Sequence, residues 1–495
     1  VSNQHTGDPQ DDHGHGTHVA GIIAAQAGNG IGGVGVAYNT QIMAIKAAQY
    51  SGVLSTSDIA EAIYYAVEKG ADVINMSFGG YVRSTLEEDA LAVAFGQAVL
   101  VAAAGNDRMV NLPCVGSRDM YPAAYNWVLG VMASTVGGIL ASFSNSDCTP
   151  RDSHEYELMA PGVDVWSTLP LGQYAAWDGT SMATPVVAGI AALARTRWAD
   201  KDVYSSRFIM GQIAANAGGG VANALASLTV PPQPELSYLE HWLFDTTAQA
   251  AGNDSDGIVD AGETVDLAIV IRNHWGKADP VSVKLEAWAD GAYQPDPYVT
   301  MLIDTVDYGA VGSFSWDDNG LVYDAEGAIT GVQHPFRFIV DPETPNDHVI
   351  PFRMTITAGN GYNPAVPSLT FASRFYLIVQ RGRELPRIIS EDTTLTKDEF
   401  WLIPDATLIE AGVQLTVAEG AQVQFWSAPP GDPYYQNPNA YLQVEGHLRL
   451  EGSLAAPVEL FNSALWPAKT VTINTEGAGE TTMSYSRVIH PCIKN

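Results

Sequence analysis

Cysteine is scarce in this chain: Cys114, Cys148 and Cys492 are the only three among 495 residues. So few exclude a disulfide-stapled scaffold; Cys114 and Cys148 can form one bridge, leaving Cys492 odd or paired outside the chain. Basic residues are scarce as well. Lys and Arg total 24 against 55 Asp and Glu, a formal net charge of −31. Such a surface repels nucleic acid and anionic membranes, which removes nucleic-acid binding as a function, and it attracts cations and basic ligands. The composition suits a secreted protein, extracellular or on a cell surface, in salty or calcium-rich surroundings. No apolar run reaches the roughly 18 residues that signal a membrane span. No signal peptide is present and the chain begins with Val1, so either a leader was removed or the sequence is a fragment.

What is present is globular. Hydrophobic residues make up 46% and charged residues 16%, far from the composition of a disordered chain. The length predicts two to four domains. Residues 1–229 read as alternating strands and helices. A helix is predicted between a cap at Ser57 or Asp58 and a stop at Gly70, with Ile59, Ala62, Ile63, Ala66 and Val67 at helical spacing. Short apolar strands are expected at Asp72–Met76, Ala98–Ala104 and Trp127–Ala133. Buried strands alternating with helices imply an α/β parallel sheet covered on both faces. The run Pro231-Pro-Gln-Pro234 marks a boundary. Residues 235–380 alternate apolar and polar, as in Val265–Ile271 and Val281–Leu285, which reads as an antiparallel β-sandwich. Residues 386–495 carry short, evenly spaced strands, among them Leu415–Val417, Val423–Phe425, Leu442–Val444, Leu448–Leu450 and Val458–Leu460. That spacing suits a β-solenoid, a parallel β-helix whose rungs run to the last residue without a polar cap.

Three segments of the first domain carry chemistry-bearing residues: Asp11-Asp-His-Gly-His15-Gly-Thr-His18, Val101-Ala-Ala-Ala-Gly-Asn106 and Asp178-Gly-Thr-Ser181-Met-Ala-Thr-Pro185, the last opening an expected helix Val186–Ala194. Each alone has another reading. His13, His15 and His18 form a candidate metal cluster, though no acidic or Cys ligand pattern joins them. A Ser before a helix is commonly a cap, and the flanks of Ser181 do not form a Gly-x-Ser-x-Gly elbow. Asn106 alone is an ordinary loop residue.

Together the segments resemble the subtilisin-like serine proteases (peptidase S8). His15-Gly-Thr-His-Val-Ala-Gly resembles the family's His motif, Gly179-Thr-Ser-Met-Ala-Thr-Pro its Ser motif, and Ala102-Ala-Ala-Gly-Asn its oxyanion motif. Val73–Gly79 resembles the substrate-cleft strand, and Met159–Gly162 and Ala141–Ser144 are further hallmarks. The resemblance spans about residues 8–228 in the family's order. It implies a secreted serine endopeptidase acting on protein or peptide substrates without a catalytic cofactor. In this reading His15 takes the Ser181 proton as the hydroxyl attacks and returns it to the leaving amine. Asn106 and the Ser181 backbone N–H stabilise the oxyanion, each such donor being worth about 3–4 kcal/mol. Ser77, Phe78 and Gly79 face Ala103, Ala104 and Gly105 as walls of the main specificity pocket, which permits apolar or aromatic side chains, while the acidic approach at Asp11-Asp12 favours nearby basic ones, and neither excludes broad specificity. His18 is expected as a packed helix residue, and Asp11 and Asp12 as lining the cleft on the substrate side.

One element of the family pattern is missing. The triad runs Asp, His, Ser along such chains, yet only Asp8, Asp11 and Asp12 precede His15 and none ends an apolar strand. The expectation is that the Asp strand was lost with the N-terminus, and that the chain from Val1 onward is nearly inactive because a triad-Asp replacement lowers kcat by about 10⁴. The alternative is a surface adhesin or binding protein with a vestigial protease domain. Beyond the protease segment, Gly252–Glu263 resembles the first loop of bacterial Ig-like accessory domains. Asn253, Asp254, Asp256, Asp260 and Glu263 are candidate ligands for a structural calcium ion; an acidic solvated turn is the other reading. Asn29–Gly32 resembles a family calcium loop. The β domains are expected to dock to a cell surface, a polysaccharide, substrate or other domains.

Overall fold

In the computed structural model, the described residues are 9–108, 119–146, 156–245, 259–289, 294–345, 348–380, 383–397, 400–403, 406–425, 440–462, 471–475, 480–484, 486–488 and 491–494. Cys114 and Cys148 lie outside them.

The first layer begins with helix α1 (His15–Ala24) and helix α2 (Thr56–Glu68). The α2 cap is Ser55, two residues before the first expected candidate: its hydroxyl accepts from Asp58 N, and Asp58 sits in the first turn, where a carboxylate complements the helix dipole. Ala60, Ile63 and Ala66 form the buried stripe. Strand β1 (Val73–Met76), helix α3 (Thr85–Ala94), β2 (Val99–Ala103), β3 (Leu129–Ser134) and β4 (Leu158–Pro161) follow. The four strands pair in parallel in the order β1-β2-β3-β4, in the registers Val73↔Val99, Val101↔Leu129 and Val131↔Leu158. Every residue of β2 and β3 is buried, whereas only Met76 of β1 is. β1 is thus the edge of the sheet among the described residues. Thr40–Lys46 forms no strand, and Ile42, Met43 and Ile45 are exposed.

A hairpin of β5 (Val165–Leu169) and β6 (Gln173–Trp177) leads into helix α4 (Thr180–Arg197). α4 begins six residues earlier than the predicted Val186 start, so Pro185 lies inside it and Ser181 in its first turn. Small residues let α4 lie close to its neighbours; a Cβ on Gly189 would lie 2.6 Å from Val36 Cβ. Helices α5 (Ser206–Ala215) and α6 (Ala224–Thr229) complete this layer.

The rest of the chain is β-structure. Thr264–Asn273 lies at the centre of one antiparallel sheet, and Ala278–Ala287, His348–Asn360 and Leu369–Gln380 build a second. Their inner faces share a core of Val, Leu, Ile and Phe, with Phe336, Phe338 and Phe352 fully buried. From Arg383 onward, three sheets of parallel strands run side by side, each strand pairing with the one three strands later, as in Leu415↔Leu448↔Thr481.

The second layer is packed on the first rather than tethered to it. Trp316 stacks on Phe95 with centroids 6.0 Å apart and lies 5.8 Å from Trp127. Trp275 Nε1 donates to Gln212 Oε1 at 2.7 Å in a buried setting. Tyr362 packs on Phe208 and Tyr204, 5.1 and 5.3 Å between centroids. Phe208 has no exposed surface, and Trp198, Tyr204 and Tyr362 ring it. Phe208→Ala should therefore cost about 3–5 kcal/mol. Denaturant unfolding followed by tryptophan fluorescence checks this; a loss below about 1 kcal/mol would show that the cluster does not bind the layers together.

Candidate active site

Each site residue is positioned by the end of a regular element. His15 opens α1, Asn106 follows β2, and Ser181 opens α4. A cleft of about 390 Å³ is lined by His15, Asn106 and Ser181 with Asp164, Trp177 and Asp178. Three residues far apart in the chain, expected from separate motifs, thus share one cavity.

The end of β2 and the start of α4 are joined through Thr180, itself buried. Asn106 Oδ1 accepts from Thr180 N at 2.9 Å and from Thr180 Oγ1 at 3.0 Å, while Thr180 Oγ1 accepts from Gly105 N at 3.1 Å. The carbonyl end of the Asn106 amide is thereby occupied and its Nδ2 is turned outward. The point where a Cβ on Gly179 would sit is 3.5 Å from Asn106 Nδ2 and 3.6 Å from Ser181 N. Glycine at 179 therefore keeps open a space that both donors border.

Ser181 is tied to the opposite strand end. Pro185 has no N–H, so the Ser181 carbonyl, four residues earlier, lacks its helical donor. The Ser77 hydroxyl supplies one at 2.9 Å, and the Ser181 hydroxyl donates to the Ser77 carbonyl at 3.1 Å. Ser77 and Ser181 thus form a reciprocal pair.

The imidazole of His15 is held below its ordinary pKa, chiefly by burial, with the charges of His13 and His18 acting the same way and Asp11 opposing them. It is therefore neutral at pH 7, the state a general base requires. Trp177 stacks on His18, centroids 4.5 Å apart, and lies 6.4 Å from His15. His18 is buried and its Nε2 lies 3.1 Å from the Ala175 carbonyl, the packed helix residue that was expected. Among the described residues, no three His, Cys, Asp or Glu side chains are gathered for a metal ion, so His13, His15 and His18 form no metal cluster.

Asp11 and Asp12 both have partners within the chain. Asp11 Oδ1 accepts from the His13 and Gly14 amides at 2.9 and 2.8 Å, and its Oδ2 from Thr17 N and Oγ1 at 2.7 and 2.6 Å. It caps the start of α1. Partial burial opposes its ionisation, yet these hydrogen bonds hold the carboxyl well below the usual carboxylate range. Asp12 pairs with Lys46 at 2.7 Å. Asp11 stands three residues before the N-cap Gly14, outside the usual capping position, so no spacing rule in the sequence points to it. Asn29 Oδ1 accepts from Ile31 N at 3.0 Å, a local turn. Asp8, Asn253, Asp254 and Asp256 lie outside the described residues. Of the calcium candidates, Glu263 is buried and its Oε2 accepts from Asp260 N at 2.8 Å.

The comparisons with known proteins concern this same half of the chain. The Subtilase family model matches residues 2–226. The chain is 44% identical over 187 residues to a thermophilic serine proteinase of Bacillus sp. (strain AK1), covering 38% of this chain and 43% of that protein. It is 41% identical over 211 residues to subtilisin DY of Bacillus licheniformis, covering 42% of this chain and 73% of that protein. It is 41% identical over 196 residues to an intracellular serine protease of Paenibacillus polymyxa, covering 38% and 56%.

Asp11→Ala should lower stability by about 1–2 kcal/mol at neutral pH. Because the native pKa is depressed, this stabilisation is present above the unfolded carboxylate value near 3.9 and is lost as pH falls toward the native one. Thermal melts of both proteins across acid pH check this: the gap should close as pH falls, and a constant gap would contradict the assignment.

Proposed function

The chain belongs to the subtilase family, and from that premise we propose that it is a serine endopeptidase that hydrolyses peptide bonds through an acyl-enzyme on Ser181. The observation that carries this reading is the convergence of His15, Asn106 and Ser181 on one cleft. The Ser181 hydroxyl attacks the scissile carbonyl carbon as His15 takes its proton, after a turn about the Cα–Cβ bond frees it from the Ser77 carbonyl. Negative charge then forms on the former carbonyl oxygen in the space beside Gly179, where Asn106 Nδ2 and Ser181 N–H stabilise it. His15 returns the proton to the leaving amine. Water, deprotonated by the same imidazole, then releases the acyl group.

The carboxylate that orients His15 is supplied, in this proposal, by a strand upstream of Val1. Two features support it. Among the described residues, β1 is an unpaired sheet edge beside the site, and Ile42, Met43 and Ile45 lie exposed in an extended segment that pairs with nothing in the sheet. A strand added to that edge would cover it, and one that also paired with residues 42–45 would bury both. A fluorophosphonate should label Ser181 in a chain extended upstream, and Asn106→Ala should lower kcat by about 10²–10³. A folded protein that stays unlabelled would instead favour a surface adhesin with a vestigial protease domain.

The remaining parts of the proposal are architectural. The two face-to-face antiparallel sheets are read as an Ig-like sandwich and the three parallel sheets as a β-helix, docking surfaces for a cell surface or polysaccharide. The acidic surface supports an extracellular or cell-surface location. The segment containing Asn253, Asp254, Asp256, Asp260 and Glu263 is proposed to bind a structural calcium ion, with the buried Glu263 carboxylate as an anchor. A chelator should then lower Tm; an unchanged Tm would remove the calcium proposal.

A further inference from the structure

The two walls of the specificity pocket, Ser77–Gly79 and Ala103–Gly105, are each closed by a glycine, which leaves room between them. That room is not empty. A Cβ on Gly79 would lie 2.7 Å from Met120 Sδ and 2.9 Å from Met120 Cγ; a Cβ on Gly105 would lie 2.5 Å from Met120 Cε. One thioether therefore reaches from the first wall to the second. Met120 is only 7% exposed, so its side chain is packed rather than displayed.

Its backbone is anchored on both sides. Met120 N donates to Tyr156 Oη at 3.0 Å. The next residue, Tyr121, exchanges two hydrogen bonds of 2.8 Å with Gly80 at the end of the first wall. The second wall is closed by Asn145. Its N donates to the Gly105 carbonyl at 2.9 Å, and its Nδ2 donates to the Ala104 carbonyl at 2.9 Å and to Tyr81 Oη at 3.1 Å. The Asn145 amide also lies against the Gly105 α-carbon. Both glycines thus receive a neighbouring side chain of the protein itself.

We propose that Met120 sets the substrate class of this cleft by filling the side-chain pocket, so that the enzyme cleaves after small residues such as alanine and serine rather than after phenylalanine or tyrosine. This rests on the protease reading above. It narrows the expectation of an apolar or aromatic occupant, drawn from wall sequences that do not contain the plug, to small side chains. An aromatic ring buries roughly 150–250 Å² and needs the space the thioether holds, whereas a methyl or hydroxymethyl group does not. Methionine has three rotatable bonds and repacks readily, so the test must ask whether the packed position is kept during turnover.

The experiment compares kcat/KM for peptide p-nitroanilides that differ only in alanine or phenylalanine before the scissile bond, using the upstream-extended chain. Ser181 is titrated in parallel with a small fluorophosphonate that does not need the pocket. The alanine substrate should be preferred by at least about tenfold, and Met120→Ala should raise the phenylalanine-to-alanine ratio by at least about tenfold. Met120→Leu, which keeps the volume, should leave the ratio near that of the parent. Labelled enzyme that prefers phenylalanine, or a ratio unmoved by Met120→Ala at normal labelling, overturns the role of Met120 alone. Absence of fluorophosphonate labelling in folded protein overturns the protease reading and this inference with it.

Discussion

Thr180 sits buried where the sheet meets the helix that carries Ser181, and it makes three hydrogen bonds to the segment that follows β2. It gives its amide and hydroxyl protons to the Asn106 carbonyl oxygen and takes the Gly105 amide. The cost of leaving any of these groups unpaired inside the protein, about 1–3 kcal/mol each, fixes the end of β2 against the start of α4. The consequence reaches beyond stability. With its oxygen committed, the Asn106 amide can present only its N–H₂ to the cleft, and the Ser181 amide faces the same gap beside Gly179. A second constraint works at the other side of Ser181. Pro185 deprives the Ser181 carbonyl of its helical partner, and Ser77 takes that place. Ser181 is thus held between two strand ends.

The electrostatics around His15 follow the same economy. Burial and two neighbouring imidazoles keep it neutral, while Asp11 is occupied with the amides and hydroxyl of the α1 cap and Asp12 with Lys46. Neither Asp11 nor Asp12 is therefore available to orient its ring. In the proposed reading, the open edge at β1 among the described residues and the exposed apolar residues near Ile42 are the surfaces that an upstream strand would cover. One strand would complete the sheet and carry the carboxylate at once.

The candidate site was legible because His15, Asn106 and Ser181 each stand in a long local motif, and the three meet in one cleft. The regular elements were legible where burial imposes a period, as at Ala60, Ile63 and Ala66 or in the apolar strands β2 and β3. What escaped were relations between distant segments. The Ser55 cap was displaced by two residues because Ser55, Ser57 and Asp58 offer equivalent oxygens, and only the backbone path selects among them. The start of α4 was missed because Pro185 reads as a helix boundary, whereas its lost hydrogen bond is replaced by Ser77, more than a hundred residues away in sequence. Met120 carries no motif, and nothing near it in sequence predicts that it lies between Gly79 and Gly105. Trp177, four residues before Ser181, gave no hint that it would stack on His18.

The central claim is that Ser181 and the outward face of the Asn106 amide serve one reaction centre. A crystal structure of the upstream-extended protein with a peptide boronic acid, a mimic of the tetrahedral intermediate, tests it most directly. The account predicts boron bonded to Ser181 Oγ, with one boronate oxygen about 2.7–3.1 Å from both Asn106 Nδ2 and Ser181 N. A boronate bound elsewhere, or one on Ser181 whose oxygen turns away from Asn106, would contradict it.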